Sequence, residues 1–117
     1  MSFVLYVKLN TIDMTVRDYK IFLNQFTRII IYFLSDRKNI LDFVVKIEYF
    51  FNNSWHEMER YDCGHGYVHK DRVDKKGHKK RTINYKHLDF KTGLDYAIFD
   101  FKKNHAIIVQ RYLHEKS

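Results

Sequence analysis

The sequence predicts an α+β domain: an antiparallel β-meander of about five strands, with a C-terminal helix packed on one face and a short N-terminal strand and helix before it. Three observations carry this. Ile40 to Phe51 alternates apolar and polar residues at period two over twelve positions. Turn signals then recur at short intervals: Asn52-Asn53, Gly64 to Gly66, and Asp74 to His78. From Thr92 onward the apolar spacing changes to three- and four-residue steps, the period of a helix.

With 117 residues, the chain is read as a single domain spanning 1–117. Hydrophobic residues are 45% of it, enough to build a core. It has no proline and only four glycines, so elements should run long and turns must rest on Asn, Asp and Ser. Phe3 to Val7 reads as a strand. Thr15-Val16-Arg17-Asp18 has the form of a capping box with Asp in place of Glu. Val16, Tyr19, Leu23 and Phe26 follow at helical spacing, which predicts a helix over Thr15–Gln25. Residues 1–25 are thus a lead-in strand and helix, and 26–90 the meander.

Ile29 to Leu34 is β-branched and aromatic and ends at the turn signal Ser35 to Asn39. In the next strand Leu41, Phe43, Val45, Ile47, Tyr49 and Phe51 share one face, and Asp42, Lys46 and Glu48 the other. Asn52-Asn53 suits a tight hairpin, because Asn tolerates positive φ. Ser54 to Asp62 returns antiparallel, with His56, Met58, Arg60 and Asp62 on one face and Trp55 and Tyr61 on the other. Tyr67 to Val73 and Lys79 to Tyr85 complete the meander around a turn with Gly77 at its centre. Residues 92–115 form the closing helix. It starts at the capping-box-like Thr92-Gly93-Leu94-Asp95 and carries a stripe of Leu94, Ala97, Ile98, Phe101, His105, Ile108 and Tyr112. The β-branched run Ile107-Ile108-Val109 places a break near His105.

The formal net charge is +7. Between His69 and Arg81 lie seven cations (Lys70, Arg72, Lys75, Lys76, Lys79, Lys80, Arg81) and two anions, Asp71 and Asp74. Such a patch attracts phosphate-rich partners, RNA or DNA. A solvated basic hairpin is the plainer account. Cys63 is the only cysteine, so an intramolecular disulfide is impossible and a reducing, cytoplasmic setting is expected. Met1 to Val7 lacks the features of a signal peptide. The longest apolar run, Ile29 to Leu34, is too short to cross a bilayer, so no membrane partner is expected.

The chemistry gathers in Arg60-Tyr61-Asp62-Cys63-Gly64-His65-Gly66-Tyr67-Val68-His69-Lys70. Imidazoles carry protons near neutral pH, and a bend at the glycines can bring Asp62, His65 and His69 together. Three readings are open. In metal-independent RNA cleavage, one His takes the 2′-hydroxyl proton, and another His or Lys70 protonates the leaving oxygen. Arg60 or Arg72 offsets transition-state charge, and Asp62 orients a histidine. In a metal site, His65, His69 and Asp62 ligate Zn²⁺ or Mn²⁺, although H-G-x-x-H is no strong zinc signature. In the third reading the residues are structural. A Cys63 nucleophile is set against an inert, partly buried thiol. Tyr67 and Tyr85 are either base-stacking or packing residues.

The segment Arg60-Tyr61-Asp62-x-x-His65-Gly66-x-x-His69 resembles the R-Y-D-x-x-H-G-x-x-H motif of TumE-like toxins of toxin–antitoxin pairs and related uncharacterised archaeal and bacterial families. The likeness spans about Ile29 to Tyr112, and only the motif is specific. Cys63-Gly64 stands where the motif has Asn-Ala. The resemblance implies a toxin-like protein acting on RNA beside an antitoxin. The resulting expectation is a metal-independent endoribonuclease. His65 and His69 would be acid and base, with Asp62 orienting, Arg60 and Arg72 on phosphate, and Lys70, Arg72, Lys75, Lys76, Lys79, Lys80 and Arg81 along the RNA backbone. No cofactor and no metal are expected. The alternative is a non-catalytic nucleic-acid-binding or protein-interaction module using the same hairpin. RNA and a cognate antitoxin are the expected partners, and an open sheet edge would suit a homodimer.

Overall fold

One antiparallel sheet carries one C-terminal helix, as the sequence predicts. The structure, a computed structural model, describes residues 2–9 and 12–115. Seven strands lie in the sheet in chain order: β1 (Ser2–Leu9), β2 (Ile12–Asn24), β3 (Thr27–Asp36), β4 (Asn39–Phe51), β5 (Ser54–Asp62), β6 (His69–Val73) and β7 (Lys79–Asn84). The helix α1 (Phe90–His114) lies mainly across β4. From Thr27 onward the meander has the expected five strands.

The lead-in differs. Residues 15–24 belong to β2, so the expected helix over Thr15–Gln25 does not form. The period there is two. Tyr19, Ile21 and Leu23 pack against the core, while Lys20 and Phe22 are exposed on the other face. Tyr19 and Ile21 stand opposite Ile31 and Ile29, a match that a helix could not make.

On β3 and β4, Ile29, Ile31, Phe43, Val45 and Ile47 are fully buried under α1. The helix answers with Leu94, Ala97, Phe101, Ile108 and Tyr112. Its closest approach is at Gly93, where a Cβ would stand 2.6 Å from Val68 Cγ2. The helix begins earlier than the Thr92 box suggests. Asp89 is its N-cap and accepts the Thr92 N–H at 2.7 Å. No break occurs at His105, whose Nδ1 donates to the Lys102 carbonyl at 3.0 Å. Asn52 and Asn53 take φ of 50° and 62°, the two left-handed residues of a tight hairpin.

Two β-bulges rearrange the predicted faces. Between β3 and β4, Leu41 has no partner and is 42% exposed, leaving its expected face. Between β4 and β5, Ile47 pairs with Glu59 and Glu48 with Glu57, so Met58 is the extra residue. The strand therefore changes phase there. Met58, Glu59 and Tyr61 are buried on the helix side. His56 stacks on Phe51 at 4.0 Å and does not share a face with Arg60 and Asp62. Trp55 lies away from Tyr61, against Phe22 and Phe50, with Arg28 over its ring at 4.1 Å. No helix among the described residues is long and apolar enough to cross a membrane.

Candidate active site

The site arises from the register of β5 and β6. Asp62 stands opposite His69, and Arg60 opposite Asp71. All four project from the face without the helix. The loop between the strands is a tight one: Gly66 N–H donates to the Cys63 carbonyl at 3.0 Å, and Gly66 takes φ +87°, where a side chain would be strained. Gly64 N–H donates to Asp62 Oδ1 at 3.0 Å. The loop holds His65 exposed, its ring centre 5.1 Å from that of His69.

His69 is the centre of the site and is only 3% exposed. Its Nε2 lies 3.2 Å from Asp62 Oδ1 and 3.5 Å from Asp71 Oδ2. Asp71 is buried as well. Its Oδ1 accepts from Thr82 Oγ1 at 2.7 Å, and its Oδ2 faces Lys79 Nζ at 3.4 Å. Arg60 pairs with Glu57 at 3.1 Å. An open groove of about 470 Å³ is lined by Arg60, Asp62, His65, His69, Asp71 and Lys79 among others. The structure thus brings Asp62, His65 and His69 together across the bend at the glycines, with Arg60 lining the same groove. It adds Asp71, which sequence reasoning did not select. The signal for Asp71 is its place two residues after His69 on a strand.

Lys70 and Arg72 do not join the groove. They occupy the alternate positions of β6 and point to the helix side. Lys70 Nζ lies 2.8 Å from Glu59 and 3.0 Å from Asp100. Arg72 pairs with Glu115 at 3.3 Å. Neither can donate a proton or hold phosphate in the groove. Burial alone would lower the Lys70 pKa, but the bonds to Glu59 and Asp100 outweigh it and leave it raised. Asp100 also accepts from Tyr61 Oη at 2.7 Å and Asn104 Nδ2 at 2.6 Å. Burial, then the bond to Asp100, pushes the Tyr61 phenol far up. Arg111 adds a 2.5 Å contact to Glu59. This helix-to-sheet network, with Glu59 and Asp100 at its centre, was not foreseen.

The basic hairpin is likewise divided between surfaces. Lys75 caps the helix by donating to the Leu113 carbonyl at 3.0 Å. Arg81 stands opposite Arg72 and helps line a cleft with Arg111. Lys76 and Lys80 are exposed, and Lys79 reaches the groove. Cys63 is buried beneath Asp42 and Phe43, and burial pushes its thiol pKa up to about 12, which suits the inert reading. Tyr85 packs on Tyr61 and Tyr96. Tyr67 stays beside the site, 5.9 Å from the His69 ring.

Comparison with curated proteins and with solved structures finds no match. Residues 14–117 match the model of a family described as Domain of unknown function (DUF7718). That span takes in β2 from its third residue, β3 to β7 and α1, so the groove and the helix lie inside it while β1 lies outside, and the chain belongs to the DUF7718 family.

Proposed function

We propose that the protein is a toxin-like, RNA-directed endoribonuclease working in the groove between β5, β6 and the Cys63–Val68 loop. One observation carries this reading: an exposed histidine, His65, lines a groove together with half-buried Asp62 and buried His69 and Asp71, with Arg60 and Lys79 also in its lining. Two cations meet a backbone phosphate, and an accessible imidazole moves a proton beside it. His65 takes the proton of the 2′-hydroxyl as its oxygen bonds to phosphorus. The P–O5′ bond breaks, and water protonates the departing 5′ oxygen. Arg60 and Lys79 offset the charge that builds on the phosphoryl oxygens. His69, fixed between two carboxylates, acts as a positioning group in this scheme.

The net charge of +7 and the exposed Lys76 and Lys80 support RNA as the partner, the likeness to TumE-like toxins supports a cognate antitoxin, and the single cysteine suits a reducing, cytoplasmic setting. The test is cleavage of a labelled total-RNA pool by the purified full chain beside His65→Ala and Lys76→Ala/Lys80→Ala. Loss of cleavage with retained RNA affinity in His65→Ala supports the reading. A folded wild type that binds RNA without cutting it overturns catalysis in favour of the non-catalytic binding module.

A further inference from the structure

We propose that Asp62, His69 and Asp71 bind one divalent cation. This names the cofactor class of the same groove, departs from the metal-independent expectation, and stands whether or not the groove cuts RNA.

Spacing is the first argument. The three donor atoms all lie within 4.8 Å of one another, and His69 Nε2 is 3.2 Å and 3.5 Å from the two carboxylate oxygens. Imidazole nitrogen and carboxylate oxygen bind transition ions at about 2.0–2.2 Å, and two such bonds at tetrahedral or octahedral angles separate their donors by roughly 2.9–3.5 Å. The separations of 3.2 Å and 3.5 Å from Nε2 fall in that window.

Electrostatics is the second. Two carboxylates converge on one imidazole whose side chain is 4% exposed. Among the described residues, Lys79 is the one cation within ion-pair distance of the trio, and its side chain is 63% exposed. An exposed ammonium does little for two converging, largely buried carboxylates. A divalent ion placed between them removes their repulsion.

Preorganisation is the third. Asp71 Oδ1 is held by the Thr82 hydroxyl, which leaves Oδ2 turned to the trio. Asp62 Oδ1 is fixed by the Gly64 N–H, and both residues sit on paired strands. Outer contacts of this kind orient metal ligands. One nitrogen and two oxygen donors suit Mn²⁺ or Zn²⁺ better than Ca²⁺, and the groove side is open for water or a phosphate oxygen.

The experiment needs no RNA. The full chain is stripped with EDTA, dialysed and titrated with Mn²⁺ at neutral pH, followed by calorimetry and by electron paramagnetic resonance of the free ion. One site per chain is expected. Asp62→Asn and Asp71→Asn should each weaken binding at least about tenfold, while His65→Ala retains it. In the wild type, Mn²⁺ should broaden the backbone amide signals of Asp62, Gly64, His69 and Thr82 before those of α1, a result that needs no variant to fold. Absence of saturable binding at millimolar Mn²⁺ overturns the proposal, and so do Asn variants that bind like wild type. Mn²⁺ binding without RNA cleavage keeps the metal site and removes the nuclease. Cleavage that persists in EDTA by a chain that takes no Mn²⁺ does the reverse.

Discussion

Lys70→Met tests whether the buried helix-side network holds the fold. Lys70 Nζ sits between Glu59 at 2.8 Å and Asp100 at 3.0 Å, with its side chain 13% exposed. Met keeps most of the volume and removes the charge. Glu59 retains Arg111, and Asp100 retains Tyr61 and Asn104, but two buried carboxylates lose their shared cation. Breaking a buried ion pair by deleting one partner costs about 3–5 kcal/mol. For a chain of this size that is a fall in Tm of about 12–20 °C, at about 4 °C per kcal/mol. Urea denaturation at neutral pH is the assay. The pH dependence has a definite sign. Lys70 has a raised pKa, so its contribution is present below the ordinary 10.5 and is lost as pH rises through the folded value. Burial works against the Asp100 carboxylate, but bonds from Tyr61, Asn104 and Lys70 outweigh it and lower its pKa. Its contribution is therefore present above the ordinary 3.8 and is lost as pH falls through the folded value. The gap between wild type and Lys70→Met should be flat between the ordinary 3.8 of Asp100 and the ordinary 10.5 of Lys70, and narrow as pH leaves that window at either end. Glu59→Met in the Lys70→Met background should regain part of the loss, because it removes a buried charge left without Lys70 while Arg111, its side chain 39% exposed, can turn to water. A loss below about 1 kcal/mol, the range of an exposed pair, would refute the reasoning.

Gly93→Ala places a methyl 2.6 Å from Val68 Cγ2, and the overpacking should cost about 1–3 kcal/mol in urea unfolding despite the better helix propensity of Ala. Val68→Ala should recover part of that cost, and an unchanged midpoint for Gly93→Ala alone would contradict the close approach. Cys63, its thiol pKa raised to about 12 by burial, should be inert to a disulfide reagent at pH 8 in the native chain and react at once in denaturant; a native burst would show that the thiol is open. Arg60→Ala should lower RNA cleavage by about 10²-fold with little change in RNA affinity, measured in single-turnover assays. Lys76→Ala and Lys80→Ala should each reduce the salt slope of RNA binding by about one, whereas Lys70→Met should leave it unchanged.

How far the sequence could be read depended on where pairing partners were needed. The period-two run of β4 and the paired asparagines after it are local signals, and the structure follows the run from Phe43 onward and the turn at the asparagines. The helix stripe was equally legible, since a single helical face decides which residues are buried. β2 was not. Val16, Tyr19, Leu23 and Phe26 fit a helix as well as Tyr19, Ile21 and Leu23 fit a strand, and only Ile29 and Ile31 across the ladder decide between them. The bulge at Met58 is invisible in sequence, yet it reverses the faces of His56 and Trp55. In the site, Asp62, His65 and His69 were visible as chemistry close in sequence. Asp71, two residues after His69, could be placed on the same strand face, whereas Thr82 required the pairing of β6 with β7, and Lys70 and Arg72 were misplaced because neighbours in a strand point to opposite faces.

That same alternation makes β6 the strand on which stability and chemistry meet. His69 and Asp71 face the groove, and Lys70 and Arg72 face the helix. The backbone between them is shared. The ion contacts of Lys70 with Glu59 and Asp100 hold that backbone against β5 and α1. On the other face the same hold keeps His69 Nε2 near Asp62 and Asp71. A site that depends on separations of 3.2 Å and 3.5 Å tolerates little movement of its strand. Two exposed histidines on a loose loop would also move protons, but they could not hold two carboxylates against their mutual repulsion. The buried network on the far side gives the fold a means of doing so, and this is why an ion pair remote from the groove belongs in the account of what the groove can do.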